Sequence, residues 1–456
     1  MDFGAGRVAL VSGSTGERLD AHLTATDPHG TAAVLQSMRG APGGFAGLDQ
    51  GGQVPLAQLP ADGRYAPVGS TAVNSVGIYV PPGWGQRWKA KRDAAKTSKA
   101  VVAAVGSSST QGLYSSDLLA TSFVSKLRTS LQGSFGDGGS GFFGTSRSLT
   151  FFGPGATSNA WAAIPGNLAS TTGTWSNGNP YGPGGQYLST TVPGASITFT
   201  KVRGTTIRIY TMSGGGRVGW TYAIDGAAAV SVADSGTPSI QVTAVTGLGP
   251  GDHTVTLTHN GAAGSSFSPC GVSGENPSGI ILNNFGVSGA QTNTFSPATN
   301  EPYQPTSWNG GPDYPCDLLI YALGANDANS GVTIDSYTAN MRKFLNAVRD
   351  GQSVGGTKAN GSTDVLILMQ HIGAYDSGTN PRWHDYCDRA RGVAEAYGAA
   401  FVNLWPMGRN SWNFWDSQGF WGKSSASGGV AGTDPIHMSD AGHAFTASTI
   451  LPILTS

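Results

Sequence analysis

The sequence predicts an α/β protein whose parallel sheet carries an inserted antiparallel β-sandwich. Three observations predict it. First, uninterrupted apolar runs such as "KAVVAAVG" (99–106), "GIILNNFGV" (279–287), "CDLLIYALG" (316–324) and "TDVLILMQ" (363–370) read as strands buried on both faces. Second, segments of helical spacing lie between the later runs. Third, residues 150–270 alternate polar with apolar or β-branched residues in short stretches separated by turn signals. Composition agrees: charged residues are 12%, about half the usual ~25%, and the 69 glycines are roughly double their usual share. Such a chain favours short strands and tight turns over helical bundles.

The elements follow in order. Residues 1–75 offer one short amphipathic stretch, a turn at "DPHG", and then Gly-, Pro- and Ala-rich sequence with little apolar periodicity. This segment cannot bury a core alone and reads as a linker or oligomeric stalk. Residues 98–148 open the α/β domain with a strand, a Gly/Ser turn and a helix over "YSSDLLATSFVSKLRTSL", where Leu118, Leu119, Phe123 and Leu127 recur at helical intervals. Residues 149–275 hold the sandwich strands, among them "ASITFTKV", "TTIRIYTM" and "HTVTLTHN". Residues 276–456 complete the α/β domain with helices over "SYTANMRKFLNAVRD", "WHDYCDRARGVAEAYG" and "HAFTASTILPIL".

Several classes are excluded or disfavoured. A net charge of −1 leaves no electrostatic footprint for nucleic acid, and "KAKR" (89–92) is a short solvated helix start. No apolar run approaches the ~18 residues of a membrane span, and the N-terminus lacks the pattern of a secretory signal. Cys270, Cys316 and Cys387 form neither a disulfide framework nor a CxxC pair and read as buried free thiols. His371 with His384 and Asp385 makes a poor metal site, because adjacent helical residues point apart. No metal or cofactor is expected.

Chemistry concentrates in four segments: "AVGSSSTQG" (104–112), "NNFGVSGAQT" (283–292), "YALGAND" (321–327) and "DPIHMSDAGH" (434–443). Ligands of open parallel sheets bind at the carboxyl ends of strands, so these loops can converge. The residue types suit acyl transfer. A serine at a strand-to-helix turn is exposed and faces the helix N-terminal dipole. His437 can act as base, with Asp434 orienting its other nitrogen. The N–H groups of Ser108 and Gly289 and the amide of Asn326 can hold a tetrahedral oxyanion, each donor contributing ~3–4 kcal/mol.

The four segments, in this order, resemble the four blocks of the SGNH (GDSL-like) hydrolase family of esterases and lipases. The resemblance implies a flavodoxin-like three-layer domain with Ser108 as nucleophile, Asp434 and His437 completing the triad, and Ser108, Gly289 and Asn326 as the oxyanion hole. It makes His443, in "DAGH", a framework histidine. The family's first block usually has Asp before the serine; this chain has Ser107. Beside the final block, "LWPMGRNSWNFWDSQGFWG" (404–422) offers Trp405, Trp412 and Trp415 as an aromatic pocket wall for sugar or acyl chain, or else as loop core. The N-terminal "LDQGGQVPLAQLP" and "GRYAPVGS" are similar to segments of bacteriophage tail fibres and minor tail proteins.

Together these resemblances imply a tail-associated serine esterase of the virion, commonly trimeric, contacting other tail proteins. It would remove acyl groups, O-acetyl above all, from host cell-envelope glycan or glycolipid without being embedded in a membrane. The same residues admit a non-catalytic receptor-binding protein on this scaffold, an adhesin whose sandwich does the binding, or an esterase of mycolate-type lipids.

Overall fold

A mixed six-stranded sheet organises the computed structural model, which describes residues 77–145, 169–178, 181–185, 187–295, 316–350, 363–370, 383–408, 412–422 and 434–456. The chain divides into two units, Met1–Pro67 and Val68–Ser456, and the second holds everything below. The N-terminal segment expected at 1–75 lies outside the described residues.

The sheet strands are β1 (Ile78–Tyr79), β2 (Lys99–Gly106), β3 (Gly279–Gly286), β4 (Leu318–Ala322), β5 (Asp364–Met369) and β6 (Ala400–Asn403). Their spatial order is β1-β6-β5-β4-β2-β3, with β1 antiparallel to β6 and the other pairs parallel. The helices are α1 (Gln86–Asp93), α2 (Ser108–Gln111), α3 (Phe123–Phe135), α4 (Ala325–Asn329), α5 (Ile334–Asp350), α6 (Trp383–Tyr397), α7 (Leu404–Met407), α8 (Trp412–Ser417) and α9 (Asp440–Thr455). α3 packs on α9 and α5 on α6. The apolar runs become strands because both faces are covered: Val102 to Val105 and Leu318 to Tyr321 are at most 1% exposed. Short strands β7 (Trp421–Gly422) and β8 (Asp434–Met438) form a separate antiparallel pair before α9.

The chain leaves β2 for β3 on one side and later returns to β4 on the other. This reversal is a topological switch point, where ligand crevices of open α/β sheets form. The three strands end level: Gly106 pairs with Gly286 of β3 and with Ala322 of β4.

Between α3 and β3 the described residues build two larger antiparallel sheets, beside a short pair of Ser176–Gly178 with Tyr187–Ser189. One has five strands, with Asp252–His259 between Trp220–Ile224 and Ser196–Arg203; the other has four, in the order Ser239–Thr246, Thr206–Ser213, Pro269–Glu275, Gly141–Gly144. Both sheets contribute to one hydrophobic cluster, with Ile197, Phe199 and Leu257 from the first and Phe143, Ile209 and Val272 from the second. Period-two alternation turns the neighbours Phe142, Tyr210 and Met212 to the opposite face, where they join the core of the α/β part. Phe142 lies 5.1 Å from the Phe285 ring of β3, and its N–H donates to Asn283 Oδ1 at 3.0 Å. Glu275, 3% exposed, is held by Lys99 of β2 at 2.6 Å and by Arg208 at 3.2 Å. A buried carboxylate demands such pairing, and here the pairing ties the sheets together.

Two local features differ from the sequence expectation. Gly141–Gly144, placed by sequence in the first α/β segment, is the edge strand of the four-stranded sheet. The helix expected from residue 114 starts only at Phe123, because Ser122 caps it by accepting the Ser125 N–H at 3.2 Å. Upstream, Asp117 takes the Leu119 N–H into its carboxylate and ties the chain into a turn. Leu118 is buried all the same, so its spacing reports burial and not helix. The three cysteines are free and buried, and burial pushes the Cys270 thiol up to about 12.

Candidate active site

The serine run becomes a turn wedged between strands. β2 ends at Gly106, and α2 begins two residues later at Ser108. A Cβ on Gly106 would stand 2.0 Å from Thr110 Oγ1, and one on Gly286 would stand 2.1 Å from the Gln111 nitrogen. Only glycine permits that approach. Ser107 occupies the cap position with extended backbone, and its side chain makes no capping bond. Ser108 is therefore the first helical residue, where an N–H has no intrahelical acceptor. Its Oγ lies 2.9 Å from His437 Nε2, across 329 residues of sequence.

His437 sits in β8, one residue before Met438 pairs with Trp421. Ser439 then starts α9. It accepts the Gly442 N–H at 3.2 Å and donates to the Gly419 carbonyl at 2.6 Å, which fixes the end of β8. The half-buried imidazole stacks on Tyr114, with centroids 5.3 Å apart and planes 12° from parallel. Asp434 lies in β8 opposite Gly422; its side chain is outside the described residues.

The remaining two blocks are tied to the nucleophile turn by a chain of polar contacts. The Val287 N–H donates to the Gly106 carbonyl at 2.9 Å, and the Ser288 N–H to Gln111 Oε1 at 2.8 Å. Asn284 donates to the Thr110 carbonyl at 2.8 Å while accepting the Gly286 N–H. On the far side, Asn326 Nδ2 donates to the Ala290 carbonyl at 3.0 Å. Gly289 is thus held from both directions, and its φ of +78° is a conformation suited to glycine. Asp327, fully buried beside Asn326, accepts from the Thr292 N–H and, at 2.5 Å, from its hydroxyl. Burial pushes this carboxyl up and the Thr292 bonds pull it back. It anchors the segment after Gly289 to the block carrying Asn326.

His443 is a different case. It is fully buried, accepts the Phe123 N–H at 3.3 Å on Nδ1, and faces the Leu113 carbonyl at 3.5 Å with Nε2. Burial drives its pKa down to about 4, against the weaker pull of the Leu113 bond. It is a neutral spacer between α9 and α3, as the framework reading expected. Its neighbour Asp440 accepts from the N–H of Ser116 at 2.8 Å and from its hydroxyl.

The tryptophan expectation needs correction. Trp405 and Trp415 have no exposed surface and belong to the main hydrophobic core, so neither offers a face to substrate. Trp415 packs among Phe420, Trp421 and Phe445. Trp412 is half-buried and stacks on Trp421 at 6.0 Å. Large apolar rings gain most from full burial, and the loop is the place where α9 needs filling. Of the metal residues considered, His371 lies outside the described residues, and no group of three ligating side chains occurs among those described.

Sequence reading gave no role to Tyr114, Gln111 or Asn284. Asn283 and Asn284 carried a signal, since two amides interrupt the apolar strand "GIILNNFG". Tyr114 carried none.

This geometry has a serine hydroxyl on a histidine base, at the carboxyl end of a parallel sheet, with a bound glycine loop and an asparagine amide alongside. Comparison with known proteins bears on it. The fold is similar to that of a peptidoglycan O-acetylesterase, with a TM-score of 0.58 at 18% identity over 81% of this chain and 96% of that one. Weaker likenesses include a carbohydrate esterase family 2 enzyme with a carbohydrate binding domain from Corynascus thermopiles (Myceliophthora fergusii), with 14% identity over 62% of this chain and 98% of that one, and a TM-score of 0.27. A family two carbohydrate esterase from Clostridium thermocellum has 13% identity over 63% and 98%, with a TM-score of 0.26. Scores this low carry no argument. No curated protein matches the chain. Residues 248–445, which include Gly289, Asn326, Asp434 and His437 and leave Ser108 upstream, match the model of the GDSL-like Lipase/Acylhydrolase family.

Proposed function

We propose that this protein is a serine esterase that removes acyl groups, O-acetyl above all, from surface glycan of a host cell, carried on a phage tail by its N-terminal segment. The observation that carries the catalytic part is the 2.9 Å contact between Ser108 Oγ and His437 Nε2. That distance is within direct proton-transfer reach. Ser108 Oγ attacks the ester carbonyl while its proton passes to Nε2. The tetrahedral oxyanion is held by the N–H groups of Ser108 and Gly289 and by Asn326. Collapse breaks the bond to the sugar oxygen, which leaves as the hydroxyl by taking the proton from His437. Water, deprotonated by the same nitrogen, then releases the acid and regenerates Ser108. Asp434 is the residue we assign to hold the Nδ1–H tautomer.

The glycan part rests on lighter support. The α/β scaffold it would use is shared in fold with a peptidoglycan O-acetylesterase. We read the two antiparallel sheets as an inserted sandwich that binds carbohydrate or borders the site. The tail placement rests on the N-terminal resemblance alone. Burial of Trp405 and Trp415 removes both as a wall for sugar or for acyl chain, so neither ring supports a choice of substrate.

The test is hydrolysis of 4-nitrophenyl acetate, followed by acetate release from O-acetylated peptidoglycan, by wild type and Ser108→Ala. Wild type should hydrolyse both and the variant neither. Equal background rates would leave a non-catalytic receptor-binding protein, the reading that Ser107 in place of Asp also suits.

A further inference from the structure

We infer that Tyr114 is a positioning residue for His437, its ring holding the imidazole and favouring the imidazolium as it forms. The inference rests on the serine-esterase reading above. Two independent observations carry it. The phenol ring lies nearly parallel to the imidazole, 5.3 Å away. And Tyr114 takes up a left-handed backbone, φ +66°, which bulky residues avoid and glycine accepts freely. Such outliers persist only where the surroundings enforce them, and they gather at functional sites.

The surroundings here are specific. The Gly112 and Leu113 N–H groups donate to the Ser108 carbonyl at 3.0 and 2.9 Å, so the loop springs directly from the serine turn. On one side of Tyr114, the Leu113 carbonyl faces His443 Nε2. On the other, the Ser115 hydroxyl closes onto the Gly112 carbonyl at 2.6 Å, and Ser116 is bound through its N–H and hydroxyl to Asp440. Asp440 and His443 lie in the first turn of α9, immediately after His437. One short segment therefore supplies the histidine and pins both flanks of the ring stacked on it.

The physical consequence follows from charge. A flat ring on one face of the imidazole limits its rotation and keeps water from that face. When Ser108 surrenders its proton, His437 becomes a cation against a π-face within about 6 Å, an attractive arrangement. The attraction exists in the transition state and is weak before it, so it acts on kcat and not on KM.

The full chain is assayed on 4-nitrophenyl acetate as wild type, Tyr114→Phe, Tyr114→Gly and Ser108→Ala, with thermal midpoints and histidine-selective NMR of each. Tyr114→Phe keeps the ring and should stay within about twofold of wild type, whereas Tyr114→Gly should lose about tenfold in kcat with KM unchanged. Its midpoint should match or exceed wild type, because glycine relieves the left-handed backbone; a purely structural tyrosine would lower it. One imidazole resonance should carry a ring-current displacement in wild type and Tyr114→Phe and lose it in Tyr114→Gly. Should the glycine variant fail to fold, Tyr114→Asn, which also tolerates this backbone, takes its place with the same expectations. Wild-type kcat in the ring-less variant, or an equal loss in Tyr114→Phe, overturns the inference while the esterase reading stands. Wild type no faster than Ser108→Ala overturns both.

Discussion

The end of β8 and the first turn of α9 each carry a histidine, six residues apart, and they could hardly differ more. His437 is half-exposed and points Nε2 at Ser108. His443 is sealed in the core, neutral down to about pH 4, and spends its Nδ1 lone pair on a backbone N–H of α3. On the proposed reading, the same side chain is a proton carrier where it is half-exposed and meets a serine hydroxyl, and a spacer where it is sealed in. Burial and partner decide the role, not residue type.

That contrast can be broken experimentally, beginning with the largest effect. His437→Ala should lower kcat by about 10⁴-fold or more, as removal of a triad base does elsewhere. Its thermal midpoint should stay near wild type, measured alongside, because a strand-end side chain open to solvent packs little. Trp415→Ala tests the other side of the divide. It deletes a wholly buried ring beneath α9 and should cost about 3–5 kcal/mol in denaturant unfolding, while the folded fraction keeps its kcat. A large kcat loss at constant fold would return Trp415 to the substrate pocket.

Asn326→Ala sharpens the oxyanion assignment. Loss of one donor should reduce kcat by about 10²–10³-fold with KM little changed. The smallest effect concerns pH. His443 has its folded pKa at about 4, below the ordinary ~6.5 of the unfolded chain, so the unfolded state binds more protons between these values. Its contribution is therefore intact above about pH 6.5 and is lost on acidification toward pH 4, by up to ~3 kcal/mol. His443→Gln keeps an acceptor for the Phe123 N–H without titrating. Unfolding curves of the variant should fall less steeply over that window; an unchanged slope would show that other groups govern it.

Much of this was readable beforehand, for identifiable reasons. β2, β4 and β5 were legible because strands covered on both faces leave unbroken apolar runs. Ser108, Gly289, Asn326 and His437 were singled out by the resemblance of four separate blocks. The structure sets Ser108 and Asn326 in the short helices after β2 and β4, Gly289 in the turn after β3 and His437 near the end of β8. The start of α3 was misread because Leu118 and Leu119 sit at helical spacing for reasons of burial, while Asp117 and Ser122 set the real boundary. Trp405 and Trp415 were left between pocket wall and loop core, because an aromatic loop beside a site fits both until its exposure is known; both are core.

Local pattern in this chain thus determined strand type, the presence of an antiparallel segment within the α/β order, and a serine run at a strand-to-helix turn, of which the resemblance of four blocks singled out Ser108. The patterns follow from periodicity and turn chemistry, which act over a few residues. Tertiary structure alone decided that Ser108 meets His437 across 329 positions, that Gln111 and Asn326 clamp the glycine loop between them, and that Tyr114 lies over the imidazole. Those contacts come from three level strand ends and from a final helix packed against α3. No periodicity along the chain encodes a meeting made by the folding of separate elements.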